Sequence, residues 1–423
     1  MLFELSNHFC SMKKIITSLF LLIAVVVCFA QYTIPDTIWR AELIRQDGQV
    51  IPFIFETKQR GTQKIIYFSN AEEKILADSV LISADSVYIQ MPFFDSRIEA
   101  VLLRNGTLQG EWKKRLEKET KSIPFVATPG NTQRFTTSGN ISALYNIEGR
   151  WAVNFIKSGN TDTTVAVGEF MQKGNIISGT FLTATGDYRY LEGIIDTDSM
   201  RLSCFDGGHA FLFTAKVNSD SAITGGCYYS GAAYMETWTA QKNKDARLPD
   251  EYAVTKLKKG NTKLSFTFKS IDGTLVSFTD KRFKNKVLLV QVMGSWCPNC
   301  MDETQFLSAF YNNQKNKQVE VISLAYERST DFERSQKNVR AFQKRFDVKY
   351  PMLITGVTVN DTLRTEKTLP QLEKILGFPT LLFVDKKGYI RKIHTGFTGP
   401  GTGEHYQLFK DDFYKIIEQL MNE

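Results

Sequence analysis

Histidine and cysteine are scarce. The chain of 423 residues holds four histidines and six cysteines. His209, His394 and His405 are scattered, and no second Cys-x-x-Cys accompanies the one at 297–300. A structural zinc site needs four ligands, usually two close cysteine pairs or one pair with histidines, so the pattern argues against zinc, and no metal is expected. A strong charge of one sign is also missing. The formal net charge of +7 comes from 52 Lys and Arg against 45 Asp and Glu. No basic arm with interleaved aromatics stands out, which argues against a nucleic-acid partner. With 43% hydrophobic and 23% charged residues, the composition is that of a folded chain. Nothing in it signals disorder, collagen or multiple membrane spans. The length suggests two or three domains.

The N-terminus is informative. Lys13 and Lys14 follow Met12 and open an apolar run from Ile15 to Phe29 that ends at Ala30. A short positive region, an apolar stretch and a small residue before polar sequence form a secretory signal. The run is too short for a membrane-spanning helix. Residues 1–30 are therefore read as a signal peptide, with Met12 as the start and cleavage after Ala30. A lipid-anchored form would use Cys28, but Val27 before it is bulky for that processing. Without the signal, Cys204, Cys227, Cys297 and Cys300 remain, in an export route where disulfides form.

Residues 31–242 read as β throughout. Short alternating runs such as 38–44, 50–55 and 65–68 are separated by turn signals: Asp47-Gly48, Asn105-Gly106 and Asp206-Gly207-Gly208. Many short strands at near-regular spacing predict an antiparallel barrel or sandwich. Pro129-Gly130-Asn131 is a point where two β units divide, each opening on a Trp-containing strand (Trp39, Trp151) and closing on one (Trp112, Trp238). Residues 243–262 are polar and read as a linker.

The pattern changes in residues 263–423. A hairpin is expected around Asp272-Gly273. Val287–Met293 is a continuous apolar run, as in a strand buried on both faces. Further strands are expected at Val319–Ala325, Thr380–Val384 and Tyr389–His394, with helical spacing over Phe332–Phe346 and Phe409–Met421. Alternating strands and helices imply an α/β domain, a sheet covered on both sides.

Trp296-Cys297-Pro298-Asn299-Cys300 lies directly after the apolar run and opens a helix. A thiolate is the nucleophile of disulfide exchange, and free cysteine is mostly protonated near neutrality. The amides and dipole of a helix N-terminus favour the thiolate of Cys297. Two intervening residues let Cys300 reach a mixed disulfide formed at Cys297. Pro298 fits the first helical turn, where its missing N–H is not needed. Later in the chain Gly377-Phe378-Pro379-Thr380 enters a strand. A cis bond before Pro379 would turn the backbone of Phe378 toward the cysteines.

These residues resemble the TlpA/ResA-like branch of the thioredoxin superfamily, exported disulfide reductases of bacteria. The matching positions run from Val290 to Cys300 and include Glu303, Phe378-Pro379-Thr380 and the Asp385–Gly388 turn. The resemblance covers the chain from Leu264 onward and implies a thioredoxin fold. It implies Cys297 as attacking thiol, Cys300 as resolving thiol, Pro379 as the cis-proline and Glu303 as an acid beneath the site. Ordinary thioredoxins carry a buried acid where this chain has Gln291, which cannot take a proton. Glu303 is then the leading base for Cys300. The plainer reading of Glu303 is a first-turn helix acid. Trp296, Pro298, Phe378, Thr380, Gly396 and Phe397 are expected to bind substrate, although Phe397 equally fits a core position behind a glycine-rich loop. No cofactor beyond the redox-active Cys297–Cys300 disulfide is expected. The implied partners are disulfide-containing proteins and an electron-donor thiol protein, which the resemblance allows to be membrane-bound, in the periplasm or another exported setting, serving cell redox homeostasis.

Three alternatives stand beside this. The enzyme is an oxidant or isomerase; or it is a peroxiredoxin-like antioxidant, although the peroxidatic motif is missing; or the β region is a ligand- or protein-binding module that the redox domain serves, since small barrels often hold an apolar ligand. Cys204 and Cys227 are open to a structural disulfide, two buried thiols or a regulatory pair.

Overall fold

The computed structural model describes residues 34–423 apart from Phe93, Ser138, Asn140, Ile141, Ser158, Asn160, Thr161, Asn261 and residues 315–317. The signal-peptide reading, with Met12, Cys28 and Ala30, falls outside the described residues. Among those described, no helix is long and apolar enough to cross a membrane.

Two β units come first. The first has nine strands between Ile38–Ile44 and Thr120–Pro129, each antiparallel to its neighbours. Its first strand pairs with both the second and the last, and Glu73–Ala77 and Ser79–Ser83 are left as the two edges. In the opening strand the pleat sends Trp39, Ala41 and Leu43 inward and leaves the residues between them half-buried. The second unit runs from Gly149–Lys157 to Tyr234–Lys242. Here Thr163–Lys173 pairs with both Gly149–Lys157 and Ile176–Thr183, and Gly149–Lys157 pairs with Tyr234–Lys242. The ladder therefore closes into a barrel, which removes its free edges. Trp151 and Trp238 lie on the first and last strands of this unit. Trp112 lies on the next-to-last strand of the first unit.

Aromatic side chains fill both interiors. Trp151, Phe155, Phe181 and Trp238 are fully buried in the second unit, and Trp39, Phe53, Phe55 and Phe125 in the first. A ligand inside either unit would have to displace these rings. A cleft of about 530 Å³ lies between the units, lined by Trp112, Ile123, Lys114, His209 and Ala232. The units share a core. Phe205 at the end of a second-unit strand stacks on Phe53 at 4.1 Å and meets Trp112 edge-on at 5.5 Å. Such aromatic pairs add to the burial of the rings themselves.

The C-terminal domain is a seven-stranded sheet with the spatial order Leu275–Ser277, Thr267–Ser270, Met352–Ile354, Val319–Ala325, Val287–Met293, Thr380–Val384 and Ile390–Thr395. Val287–Met293 is buried at every residue, parallel to Val319–Ala325 and antiparallel to Thr380–Val384. Helices α1 (Pro298–Asn312), α2 (Phe332–Arg345), α3 (Arg364–Thr368) and α4 (Glu404–Asn422) accompany it. This is the thioredoxin fold. α4 starts earlier than the apolar periodicity from Phe409 predicts, because Gly403 at φ +59° turns the chain into a polar first turn.

The segment 243–262, read as a linker, is held at several of its described residues. Ala246 packs on Val167 and Leu182 of the second β unit. Leu257 bridges to Leu372, and the Thr395 hydroxyl donates to Thr255 at 2.8 Å. Its few apolar residues and its backbone find partners that a polar composition does not advertise.

Candidate active site

Cys297 is the N-cap of α1, with Pro298 in the first turn. Cys297 and Cys300 form a disulfide. The Cys300 N–H points at Sγ of Cys297 at 3.2 Å, so an unpaired helix amide faces the sulfur that has to carry charge. Across the groove the Phe378–Pro379 peptide is cis, and the Phe378 carbonyl oxygen lies 3.5 Å from Sγ of Cys297. Thr380 anchors this turn by donating to the Gly377 carbonyl at 2.9 Å. The Gly396 N–H donates to the Pro379 carbonyl at 2.8 Å. Cys297, Cys300, Pro379, Thr380 and Gly396 thus come together, with Trp296 and Phe378 half-buried and edge-on at 5.3 Å.

Phe397 is elsewhere. It is 1% exposed and packs on Phe409 at 4.9 Å and on Phe306. Its ring belongs to the core between α1 and α4 and forms no exposed rim, which corrects the substrate-binding expectation.

Glu303 sits one turn beyond Cys300 on the same helix, fully buried. One carboxyl oxygen accepts from Gln291 at 2.9 Å, and the other has no hydrogen-bond partner. Burial pushes the carboxyl up to about 8, against the smaller pull of the Gln291 hydrogen bond. A first-turn acid serving the helix dipole would face solvent and stay ionised; this one is held protonated near neutrality. Gln291 is itself tied by Thr304 and Ser323, which donate to its carbonyl oxygen.

Two further groups shape the site and were missed in the sequence. Glu327, buried after the strand Val319–Ala325, accepts from the Ser295 N–H at 2.8 Å and from its hydroxyl at 2.6 Å. It fixes the turn that presents Trp296 and Cys297. The only sequence signal was an acid at the end of a buried strand. Arg189, from the second β unit, donates to the Pro298 carbonyl at 3.2 Å and pairs with Asp302 and Glu73. Burial pushes Asp302 up to about 7 against the pull of Arg189. No local pattern connects residues so far apart in the chain.

Of the three readings left open for Cys204 and Cys227, the structure has no disulfide between them: both are free thiols. They lie on strands separated by Ala210–Ser219, Cys204 opposite Phe211 and Cys227 opposite Thr214. Cys204 belongs to the second unit's buried core, where burial pushes its thiol up, and Cys227 is half-buried. Among the described residues, no group of three or more histidine, cysteine or acidic side chains is arranged to hold a metal ion.

Residues 258–406 match the Redoxin family model. The thioredoxin-like protein YneN of Bacillus subtilis (strain 168) is 26% identical over 140 residues, which is 33% of this chain and 73% of that protein. The thiol-disulfide oxidoreductase ResA of Bacillus thuringiensis subsp. konkukian (strain 97-27) is 26% identical over 135 residues, 32% of this chain and 68% of the relative. Among solved structures, a thiol-disulfide oxidoreductase from Bacteroides fragilis NCTC 9343 aligns with a TM-score of 0.26 at 22% identity, covering 35% of this chain and 98% of that one. Behind its two β units, this chain is thus similar over residues 258–406 to the Redoxin family and, over about a third of its length, to the ResA-type thiol–disulfide oxidoreductases.

Proposed function

We propose that this protein is an exported reductase of protein disulfides, working through Cys297 and Cys300 and contributing to the redox balance of its compartment. The observation that carries the reading is the placement of Cys297 at a helix N-terminus, facing the Phe378–Pro379 turn, with the protonatable Glu303 buried one turn below Cys300.

In the reduced protein the Cys297 thiolate attacks one sulfur of a substrate disulfide. A mixed disulfide forms, and the other substrate sulfur leaves as a thiolate that takes a proton from water. Cys300 then attacks Sγ of Cys297, its thiol proton passing to Glu303 in the minor fraction of molecules whose carboxyl is ionised near neutrality, a fraction that grows as the pH rises toward 8. The second substrate sulfur leaves, and the Cys297–Cys300 disulfide remains. Two electrons have moved to the substrate, and a dithiol protein must return two to this chain. Phe378 and Gly396 offer backbone groups to an extended substrate segment, and Trp296, Pro298 and Thr380 shape its bed. The apolar N-terminal run supports export.

Equilibration of the Cys297–Cys300 pair with glutathione or dithiothreitol buffers tests the direction. A reductase is expected toward the thioredoxin end of the range, near about −270 mV, whereas a value near about −120 mV would make the protein a disulfide donor and overturn the direction.

A further inference from the structure

We propose that the hairpin Thr183–Arg189 of the second β unit is a built-in occupant of the substrate groove, held there by Arg189, and that a protein substrate reaches Cys297 only when this hairpin leaves. The proposal rests on the redox reading above for its function, but the occlusion itself is a matter of packing.

The hairpin lies on the surfaces that a substrate segment would need. A Cβ on Gly186 would stand 1.8 Å from the Asn299 amide nitrogen, so the hairpin backbone rests on the residue between the two cysteines. A Cβ on Gly377 would meet the Thr185 side chain at 2.9 Å. One on Gly396 would meet the Thr185 carbonyl carbon at 2.8 Å. Contact this close is what glycine permits and any larger residue forbids. The hairpin therefore touches the cysteine turn, the approach to the cis-proline and the glycine after the last strand, the three walls of the groove.

A set of buried polar contacts holds it there. Arg189 is 3% exposed and makes three contacts with two other parts of the molecule: Glu73 of the first β unit, and Asp302 and the Pro298 carbonyl of α1. Asp187 accepts the Gly399 N–H at 2.7 Å, on the loop that follows the groove. On the other side Trp296 shares a small cavity with Phe94 and Lys114 of the first β unit. Trp296, Pro298 and Asn299 are thus each met by a β unit, and Cys297 between them is 3% exposed. Disulfide exchange needs an approach to Sγ of Cys297 along the bond being broken. A small disulfide fits a narrow opening; a folded protein does not. Opening must break the Arg189 contacts together, because a guanidinium freed from one carboxylate is still held by the other.

The test uses the full mature chain, reduced, with alkylation read at Cys297 by peptide mass. Iodoacetamide is the small probe and a polyethylene-glycol maleimide the bulky one. Each rate is referred to the same reagent acting on the urea-unfolded chain. The bulky reagent is expected to lag the small one by about tenfold or more, the factor for an open form holding about a tenth of the population. Arg189→Ala removes the clamp, and Gly186→Ala forces the hairpin off Asn299. Each should raise the bulky rate by about tenfold while changing the small rate little, and should speed reduction of insulin more than reduction of a small aromatic disulfide. Equal protection against both reagents in the wild-type protein would overturn the occlusion, and this arm needs no variant to fold. An unchanged ratio in both variants would overturn the role of the hairpin. Selective protection without turnover of either disulfide would uphold the occlusion and remove the redox reading on which its function rests.

Discussion

Replacing Glu303 by glutamine should remove this group's share of the pH dependence of stability. In the oxidised protein Glu303 is fully buried, and burial raises its carboxyl from 4.5 to about 8. The folded-state value lies above the unfolded one. The stability this group allows is therefore complete below pH 4.5 and drains away as the pH climbs toward 8, because the unfolded chain sheds the proton first. The drain is about 1.4 kcal/mol per pH unit, roughly 5 kcal/mol across the window. Glutamine cannot ionise, but it places an amide where one carboxyl oxygen has no partner, at a cost of about 1–3 kcal/mol. The wild-type protein should therefore be more stable near pH 4.5, the variant more stable at pH 8, and the curves should cross near about pH 6. Urea unfolding of both oxidised proteins at half-unit steps from pH 4.5 to 8.5 reads this directly. Parallel curves through that range would refute a buried, protonated Glu303. In catalysis the same variant loses its base for Cys300, and resolution of the mixed disulfide should slow by about 10²-fold or more. A pH–rate profile identical to the wild type would remove that role.

Other perturbations follow from particular contacts. Cys300→Ser should leave attack by Cys297 intact and block resolution, so a mixed disulfide with a substrate protein accumulates on a non-reducing gel; Cys297→Ser should form none. Phe205→Ala empties the aromatic joint between the β units and should cost about 3–5 kcal/mol in denaturant unfolding followed by tryptophan fluorescence. Glu327→Ala strands the Ser295 N–H and hydroxyl at a cost of about 1–3 kcal/mol, and should lower turnover by loosening the turn before Cys297. A rate unchanged from the wild type would show that the turn holds itself.

The chemistry was written locally. Trp296 to Cys300 follow a strand whose apolar run could only be buried, and helix capping places Cys297 by short-range geometry. Phe378-Pro379-Thr380 stands at a strand entrance for equally local reasons. The β character of residues 31–242 followed from alternation and turn residues, since a pleat has period two whatever it packs against. The tertiary structure decided what alternation cannot. One ladder closes and the other stays open between Glu73–Ala77 and Ser79–Ser83, because closure depends on strand tilt and register summed over the whole sheet. It put Phe397 inside and left Cys204 and Cys227 apart, since burial and pairing depend on which elements meet. It also brought Arg189 to Asp302 across 113 residues of chain and laid Gly186 on Asn299. Contacts between domains leave no period and no motif, so the sequence by itself named the reactive pair, and the packing of three units decided what can reach it.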